Sequence, residues 1–112
     1  MPQEYDALVT SLGETGIPFA EYGWKTAPEG SYGVVSLEFE ADHLDGNDGK
    51  QLRAFEGSVD LFFRKITDRA ELIESVENVL KNTVGASWRL NSFQHESATG
   101  YFHAEWVFQV EG

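Results

Sequence analysis

The chain has 112 residues, of which 19 are acidic and 8 basic, and its formal net charge is −11. This excess of carboxylates disfavours electrostatically driven binding to nucleic acid, because phosphate groups are repelled. No cysteine is present, which excludes disulfide bonds, thiolate catalysis and cysteine-ligated zinc. Hydrophobic residues make up 41% of the chain, and no apolar run approaches the roughly 20 residues that cross a bilayer. We therefore expect one soluble domain over residues 1–112, with no membrane contact.

The first 30 residues predict a helix followed by an irregular segment. Apolar residues recur at helical spacing up to Leu12, so we expect a helix over residues 2–12 that ends at Gly13. The prolines and glycines of residues 17–30 exclude a long regular element. Within that segment, Ile17–Tyr22 has the character of a short edge strand.

Two strands and a polar loop follow, and they predict a long hairpin. Tyr32–Glu40 alternates apolar and polar side chains, as a half-buried strand does, and Arg53–Arg64 alternates in the same way. Between them, Asp42–Gln51 is polar and glycine-rich, which indicates an exposed loop.

The second half of the chain repeats the order of helix and two strands. An apolar stripe predicts a helix over Thr67–Asn82, with Asp68 and Glu71 at the spacing of a capping box and Gly85 as its stop. The last strand, Tyr101–Val110, alternates without a break. This order of elements predicts an α+β fold: an antiparallel-rich mixed sheet of about four strands with two helices packed on one face.

The strand before the last one, predicted over Ser87–His95, changes phase along its length. Trp88 and Leu90 are apolar in one phase, whereas Phe93 and His95 belong to the other. A single extra residue in a strand shifts the alternation in this way, so we expect a β-bulge or a local bend.

The sequence offers little support for catalysis. No serine lies in a nucleophile elbow, no phosphate-binding loop is present, and Asp45–Lys50 fails as a calcium loop because Gly49 and Lys50 occupy its fifth and sixth positions. We expect no enzyme activity, no catalytic residue, no metal and no cofactor. A minor alternative is a metal-dependent enzyme that uses His95, His103 and Glu105.

Phe62 and the aromatic segment after Gly16 suggest contact surfaces. Phe62 is a large apolar residue in the polar phase of its strand. Either the helices or the Ile17–Trp24 segment cover it, or it marks a protein–protein contact. Tyr22, Trp24 and Tyr32 are more economically packing or contact residues, and a competing interpretation makes them the aromatic walls of a ligand or peptide pocket.

Three phrases of the chain carry a family resemblance: TGIPFAEYGWKTAPEGSYGVVSLEFE (residues 15–40), EGSVDLFFRKITDRAELIESVENVLKN (residues 56–82) and YFHAEWVFQVEG (residues 101–112). They contain an early G-(I/L)-P-x-A phrase, an aromatic D-L-(F/Y) phrase at the end of a strand, one helix and a closing hairpin. In order and spacing they resemble the small tail-terminator, or tail-to-head joining, proteins of bacteriophages with long non-contractile tails and of their prophages.

The resemblance implies a structural subunit without catalytic residues or cofactor. Such subunits assemble, usually as a hexameric ring, on the end of the tail tube, stop its polymerisation and offer a surface to the head-completion or connector protein. The expected location is the tail end of the virion, after assembly in the bacterial cytoplasm. DNA passes through such a ring without specific binding, and an acidic wall suits that passage because it does not hold phosphates.

The family fixes no interface residues by a motif, so the resemblance transfers only two regions: the Asp42–Gln51 loop and the segment around Trp24. The residues that we expect at an interface are Tyr22, Trp24, Phe62, Asp42, His43, Asp45 and Asp48. Two other functions remain open on the sequence: another neck or head-completion protein of the same phage region, and a small ligand- or peptide-binding module.

Overall fold

The computed structural model describes residues 3–45 and 51–111, and the side chains of residues 3–38 and 54–111. A single 3-10 turn, Ile66–Asp68, precedes the second helix. The helices and strands are α1 (Gln3–Gly13), β1 (Phe19–Glu21), β2 (Tyr32–Asp45), β3 (Gln51–Phe63), α2 (Arg69–Thr83), β4 (Trp88–Glu96) and β5 (Tyr101–Glu111).

The strands form one mixed sheet in the order β1-β2-β3-β5-β4. All pairs are antiparallel except β1 and β2, which pair in parallel with Phe19 opposite Gly33. The α+β class and the mixed sheet are therefore confirmed, whereas the expected number of about four strands is wrong, since the sheet has five. The fifth strand is Phe19–Glu21 at the edge of the sheet, within the segment Ile17–Tyr22 that the sequence indicated as a short edge strand.

The long hairpin is longer than the sequence predicts. Strands β2 and β3 stay paired as far as Asp45 opposite Gln51, so Asp42–Asp45 and Gln51 of the predicted loop are strand, and residues 46–50 lie outside the described residues. Polar residues on a two-stranded ribbon remain solvated on both faces, and such a strand has no apolar alternation to reveal it. Strand β5 begins to pair with β3 only at Ala54, so residues 42–45 and 51–53 form a two-stranded extension of the sheet.

Both helices cover the same face of the sheet, as predicted. The ring of Tyr5 in α1 stacks on Phe108 of β5 at 6.4 Å between ring centroids, and the indole N–H of Trp106 donates to Glu77 of α2 at 2.9 Å. Strand β5 contributes its alternate residues to this core. The buried apolar residues include Tyr5, Leu8 and Leu12 of α1, Val76 and Leu80 of α2, Val35 of β2, Val59, Leu61 and Phe63 of β3, and Ala104, Trp106, Phe108 and Val110 of β5. Neither of the two helices in the described chain is long and apolar enough to cross a membrane.

The predicted irregularity in β4 is confirmed as a register shift between Leu90 and Ser92 against β5. The extra residue, Asn91, reconciles the two phases of the sequence, because Leu90 lies opposite Trp106 and Phe93 opposite Ala104. Both apolar residues of β4 therefore point to the helix-covered face.

The sequence predicts the C-terminal end of α2 correctly, but it predicts the wrong N-terminal cap. Asp68 has helical backbone angles and its side chain makes no capping hydrogen bond, so the expected capping box does not form. The preceding 3-10 turn instead leads the chain into the helix. At the other end Gly85 has φ of +67°, the left-handed conformation in which a glycine ends a helix.

Gly57 marks the tightest approach in the sheet, and it gives a test of the packing. A Cβ atom at this position would collide with the carbonyl oxygen of Ser36 and lie 2.6 Å from the ring of Phe108. We expect Gly57→Ala to lower the free energy of unfolding by about 1–3 kcal/mol, because an overpacked core must shift its backbone. Urea unfolding measures the loss. The matched control is Gly13→Ala, where a Cβ meets nothing within 4 Å; equal losses for the two variants would contradict this account.

Candidate functional site

The face of the sheet away from the helices, which we call the open face, presents its side chains in rows set by the strand register. Tyr32, Phe62 and His103 form one row across β2, β3 and β5. The next row contains Asp60 and Glu105. The open face thus begins with aromatic rings at one end of the sheet and continues with carboxylates.

Five rings make up what we call the aromatic cluster: Trp24, Tyr32, Phe62, Tyr101 and His103. Phe62 stacks on Tyr32 at 4.8 Å and on His103 at 4.2 Å between ring centroids. Tyr101 meets Tyr32 edge-on at 5.6 Å, and Trp24 meets Tyr32 in the same way at 6.3 Å. Such stacked and edge-on pairs stabilise a fold beyond the area they bury. The rings of neighbouring strands therefore supply the cover that Phe62 requires, in place of the helices.

The irregular segment before β2 is attached to this cluster by hydrogen bonds to its backbone. The indole N–H of Trp24 donates to the carbonyl of Gly33 at 2.9 Å. The hydroxyl of Tyr101 donates to the carbonyl of Glu29 at 2.8 Å. Arg64 lies over the Tyr101 ring at 4.2 Å and donates to the same Glu29 carbonyl at 3.3 Å. The segment is thus held against the open face without a regular structure of its own.

The carboxylates of the open face are held mainly by neutral donors. The hydroxyl of Ser58, which is buried, donates to Glu38 at 3.0 Å. The amide of Asn91 in the β4 bulge donates to Glu105 at 2.7 Å. Neutral donors fix the direction of a carboxylate without cancelling its charge. This face therefore retains negative charge in a chain that is already acidic.

His103 lies where the aromatic cluster meets the carboxylates. Its Nε2 is 2.7 Å from Asp60, and its Nδ1 is 3.4 Å from Glu96. The hydrogen bond to Asp60 raises the pKa of His103, the charges of Asp60 and Glu96 raise it further, and partial burial opposes them. The imidazole of His103 in β5 therefore connects β3 and β4 on this face, through contacts whose strength depends on its protonation.

The structure separates the residues that the sequence grouped as an interface. Trp24 and Phe62 are half-buried in the aromatic cluster, whereas the Tyr22 side chain is 62% exposed. Asp42, His43 and Asp45 belong to the backbone of β2, but their side chains lie outside the described residues, and Asp48 lies outside them altogether.

The structure does not support an aromatic pocket formed by Tyr22, Trp24 and Tyr32. Trp24 closes on Tyr32, and the hydroxyl of Tyr22 instead reaches the carbonyl of Leu37 at 3.3 Å. A concavity of about 340 Å³ lies towards the other end of β3. Its lining consists of Glu56, Ala86, Ser87, Trp88, Arg89, Val107, Phe108 and Gln109, a set without a convergent cluster of titratable groups.

The metal site considered from the sequence is wrong on geometry. His95 lies opposite Phe102 and contacts its ring at 4.5 Å, on the helix-covered side of the sheet. His103 stacks on Phe62 on the open face. The sheet separates the two histidines, and no group of three His, Cys, Asp or Glu residues in the described part of the chain is arranged to hold a metal ion.

Sequence reasoning missed the apolar side chains exposed at the margin of β4. Leu90 is 43% exposed and Phe93 37%, and Ile66 in the turn before α2 is 48% exposed. The alternation correctly assigned Leu90 to the core-facing phase, but β4 is an edge strand that the helices do not cover. The topology of the sheet was needed to find them, since an edge strand and a central strand have the same periodicity.

Comparison with known proteins gives one informative result. No protein-family model and no curated protein matches the chain. Among solved structures, the chain is similar to a chain of the "Virion of native gene transfer agent (GTA) particle", with a TM-score of 0.53 and 15% sequence identity. The alignment covers 97% of this chain and 92% of that one. At this identity the similarity establishes the fold, and it does so over nearly the whole length of both chains.

Replacing Trp24 tests whether its ring is part of the fold. We expect Trp24→Ala to lower the free energy of unfolding by about 1–3 kcal/mol, less than a fully buried tryptophan, because the ring is half-buried and donates one hydrogen bond. Urea unfolding measures the change. Tyr22→Ala is the matched control, and its exposed ring predicts a change within about 0.5 kcal/mol. A neutral Trp24→Ala variant would show that the cluster does not depend on this ring.

The environment of His103 predicts a pH-dependent contribution to stability. Because the pKa of folded His103 is raised, its contribution is present below the unfolded pKa of about 6.5 and is lost as the pH rises through the folded pKa. We expect His103→Gln to lower the free energy of unfolding more at about pH 6 than at about pH 9. Urea unfolding across this range measures the difference. In an Asp60→Asn background the pH dependence should shrink; a His103→Gln effect that is constant with pH would contradict the assignment.

Proposed function

We propose that this protein is a structural component of a phage or phage-like particle that caps the tail tube. In this role it stops polymerisation of the tube and provides the surface to which the head is joined, as a hexameric ring in the pattern of tail terminators. The observation that carries the proposal is the similarity of fold to a chain of a gene transfer agent virion, which extends over 97% of this chain. The order of the sequence phrases supports the same class of protein independently.

The chemistry of the described surface supports a structural role over a catalytic one. Its most organised feature is the aromatic cluster, whose rings are used in packing and in holding the segment before β2. Two groups on the open face have a raised pKa, Tyr32 and His103. Tyr32 is packed between other rings of the aromatic cluster, and His103 is engaged by Asp60 and Glu96. A reaction site instead needs a nucleophile, an acid or a base that faces a space for substrate.

The acidic character supports a role in which DNA passes close by without binding. A net charge of −11 on 112 residues, with Glu38, Asp60 and Glu105 held on one face by neutral donors or by a single histidine, gives a surface that repels phosphate. A ring with such a surface towards its lumen leaves the channel open to DNA.

Tube assembly in vitro tests the proposal. The tail-tube protein of a phage-like particle is allowed to polymerise with and without the protein, and tube lengths are measured by electron microscopy. We expect shorter tubes with a ring at one end, at protein concentrations well below that of the tube subunit, because a terminator acts on tube ends only. An unrelated acidic protein of similar size serves as control.

The other outcomes of this experiment identify other functions. Tubes of unchanged length, together with binding to the head-completion proteins of the same region, would overturn the capping role in favour of a neck protein. A protein that stays monomeric and binds neither tubes nor neck proteins would overturn the structural role and favour a ligand- or peptide-binding module. A monomer in isolation is compatible with capping, because the tube end raises the local concentration of subunits.

A further inference from the structure

The margin of β4 presents apolar surface that the fold itself does not cover. Leu90 and Phe93 point to the helix-covered side of the sheet, beyond the helices, and remain 43% and 37% exposed. The ring of Phe93 continues into the core through Phe63 and Phe102 at 6.1 and 6.0 Å. Ile66 is exposed in the turn that leads into α2. We call Leu90, Phe93 and Ile66 the β4 patch.

A basic residue accompanies this patch in an otherwise acidic chain. The guanidinium of Arg69 lies 5.9 Å from the centre of the Phe93 ring. Lys65, whose side chain is exposed, precedes Ile66 in the chain. An apolar surface beside a guanidinium is suited to an acidic partner surface that also carries an apolar group.

The opposite margin of the sheet has the complementary character. Strand β1 pairs with β2 only as far as Glu21 opposite Val35, and Glu21 and Glu38 are both exposed at this margin. Glu21 accepts a hydrogen bond from the Tyr5 hydroxyl of α1 at 2.9 Å on the helix-covered side, whereas Glu38 lies on the open face. Lys25 follows three residues after Tyr22 in the chain, so this part of the protein has one basic residue besides its two carboxylates. The side chain of Tyr22 stands between them, 62% exposed.

The backbone of Tyr22 lies in the left-handed region, which is unfavourable for a tyrosine. Its φ is +65°, and it is followed by Gly23, which also has positive φ. A bulky residue in this region costs roughly 1–2 kcal/mol relative to its preferred conformations, and a glycine would avoid that cost. In the monomer the Tyr22 ring contributes one exposed hydrogen bond at 3.3 Å. A strained, exposed aromatic side chain is a feature typical of a contact site.

We propose that the β4 patch of one copy binds the β1–β2 margin of a second copy, with Tyr22 against Leu90 and Phe93 and with Arg69 facing Glu21. The proposal rests on the ring of the proposed function and names the surfaces by which its subunits meet. The two surfaces lie on opposite margins of one sheet, so each copy uses both and the contact is head-to-tail. A head-to-tail contact closes into a ring when the rotation between subunits permits it.

Cysteine cross-linking tests the contact, because the natural chain has no cysteine to interfere. Glu38→Cys and Gln94→Cys place one exposed thiol on each margin and leave Tyr22 and the β4 patch intact. Strands β2 and β4 are three strand spacings apart, about 14 Å, which is too far for a disulfide within one copy. Under mild oxidation the double variant should give a ladder of dimers, trimers and higher oligomers on a non-reducing gel. Each single variant can give dimers at most.

A charge reversal in the double-cysteine background decides whether the β4 patch is responsible. We expect Arg69→Glu to reduce the higher oligomers at least tenfold. Its matched control, Lys81→Glu, makes the same charge change in the last turn of the same helix and should leave the ladder intact. Tyr22→Gly should weaken the ladder while leaving the urea midpoint unchanged or higher, which separates loss of contact from loss of fold. No ladder, or equal losses for Arg69→Glu and Lys81→Glu, would overturn the proposal.

The result is distinguishable from the tube-capping experiment. A ladder that depends on Arg69 in a protein that does not cap tubes would uphold the contact and reject the terminator role. Tube-capping rings that form without this cross-link would uphold the role and reject these surfaces.

Discussion

The burial of one face of the sheet beneath two helices is the constraint on which the rest of this structure depends. Strands β3 and β5 lie in the middle of the sheet, and most of their helix-facing side chains are buried, with Trp106 among the largest. The indole N–H of Trp106 donates a hydrogen bond to Glu77 of α2, so this buried polar group has a partner. Burial of this apolar layer supplies the main driving force for folding.

The two helices cover only one face of the sheet, so an apolar side chain on the open face must be covered in another way. At one end the aromatic cluster covers Phe62, which lies between Tyr32 and His103. Tyr101 holds the Glu29 carbonyl, so an irregular segment becomes a fixed part of the surface. The remaining part of this face stays polar and acidic, which explains how a chain with a large net charge keeps most of its carboxylates in contact with water.

The same constraint leaves the two margins of the sheet incomplete. The helices pack over the central strands, and Leu90 and Phe93 of the edge strand β4 lie beyond them. On the other side β1 pairs with only three residues of β2. Exposed strand edges are liable to unwanted pairing unless they are covered, charged or used. In this protein one margin is apolar beside Arg69 and the other carries Tyr22 near carboxylates, and the proposed contact between copies would use both margins.

The class of the fold, the two helices and the principal strands could be predicted from the sequence. Each of these leaves a local periodicity, and the phase conflict between Leu90 and Phe93 indicated a bulge or a local bend between them. The structure was needed for the parallel pairing of β1, for the extension of the hairpin through residues 41–45, and for the absence of a capping bond at Asp68, because none of these produces an apolar pattern.

Only the tertiary structure decided which residues share a surface. The sequence places His95 and His103 near one turn, but the alternation of the strands sends them to opposite faces. It marks Phe62 as out of phase, but the rings that cover it come from β2 and β5, which are distant in the chain. Periodicity shows which side of a strand is apolar. Whether that side is buried or exposed depends on the position of the strand in the sheet, and that position is a property of the folded chain.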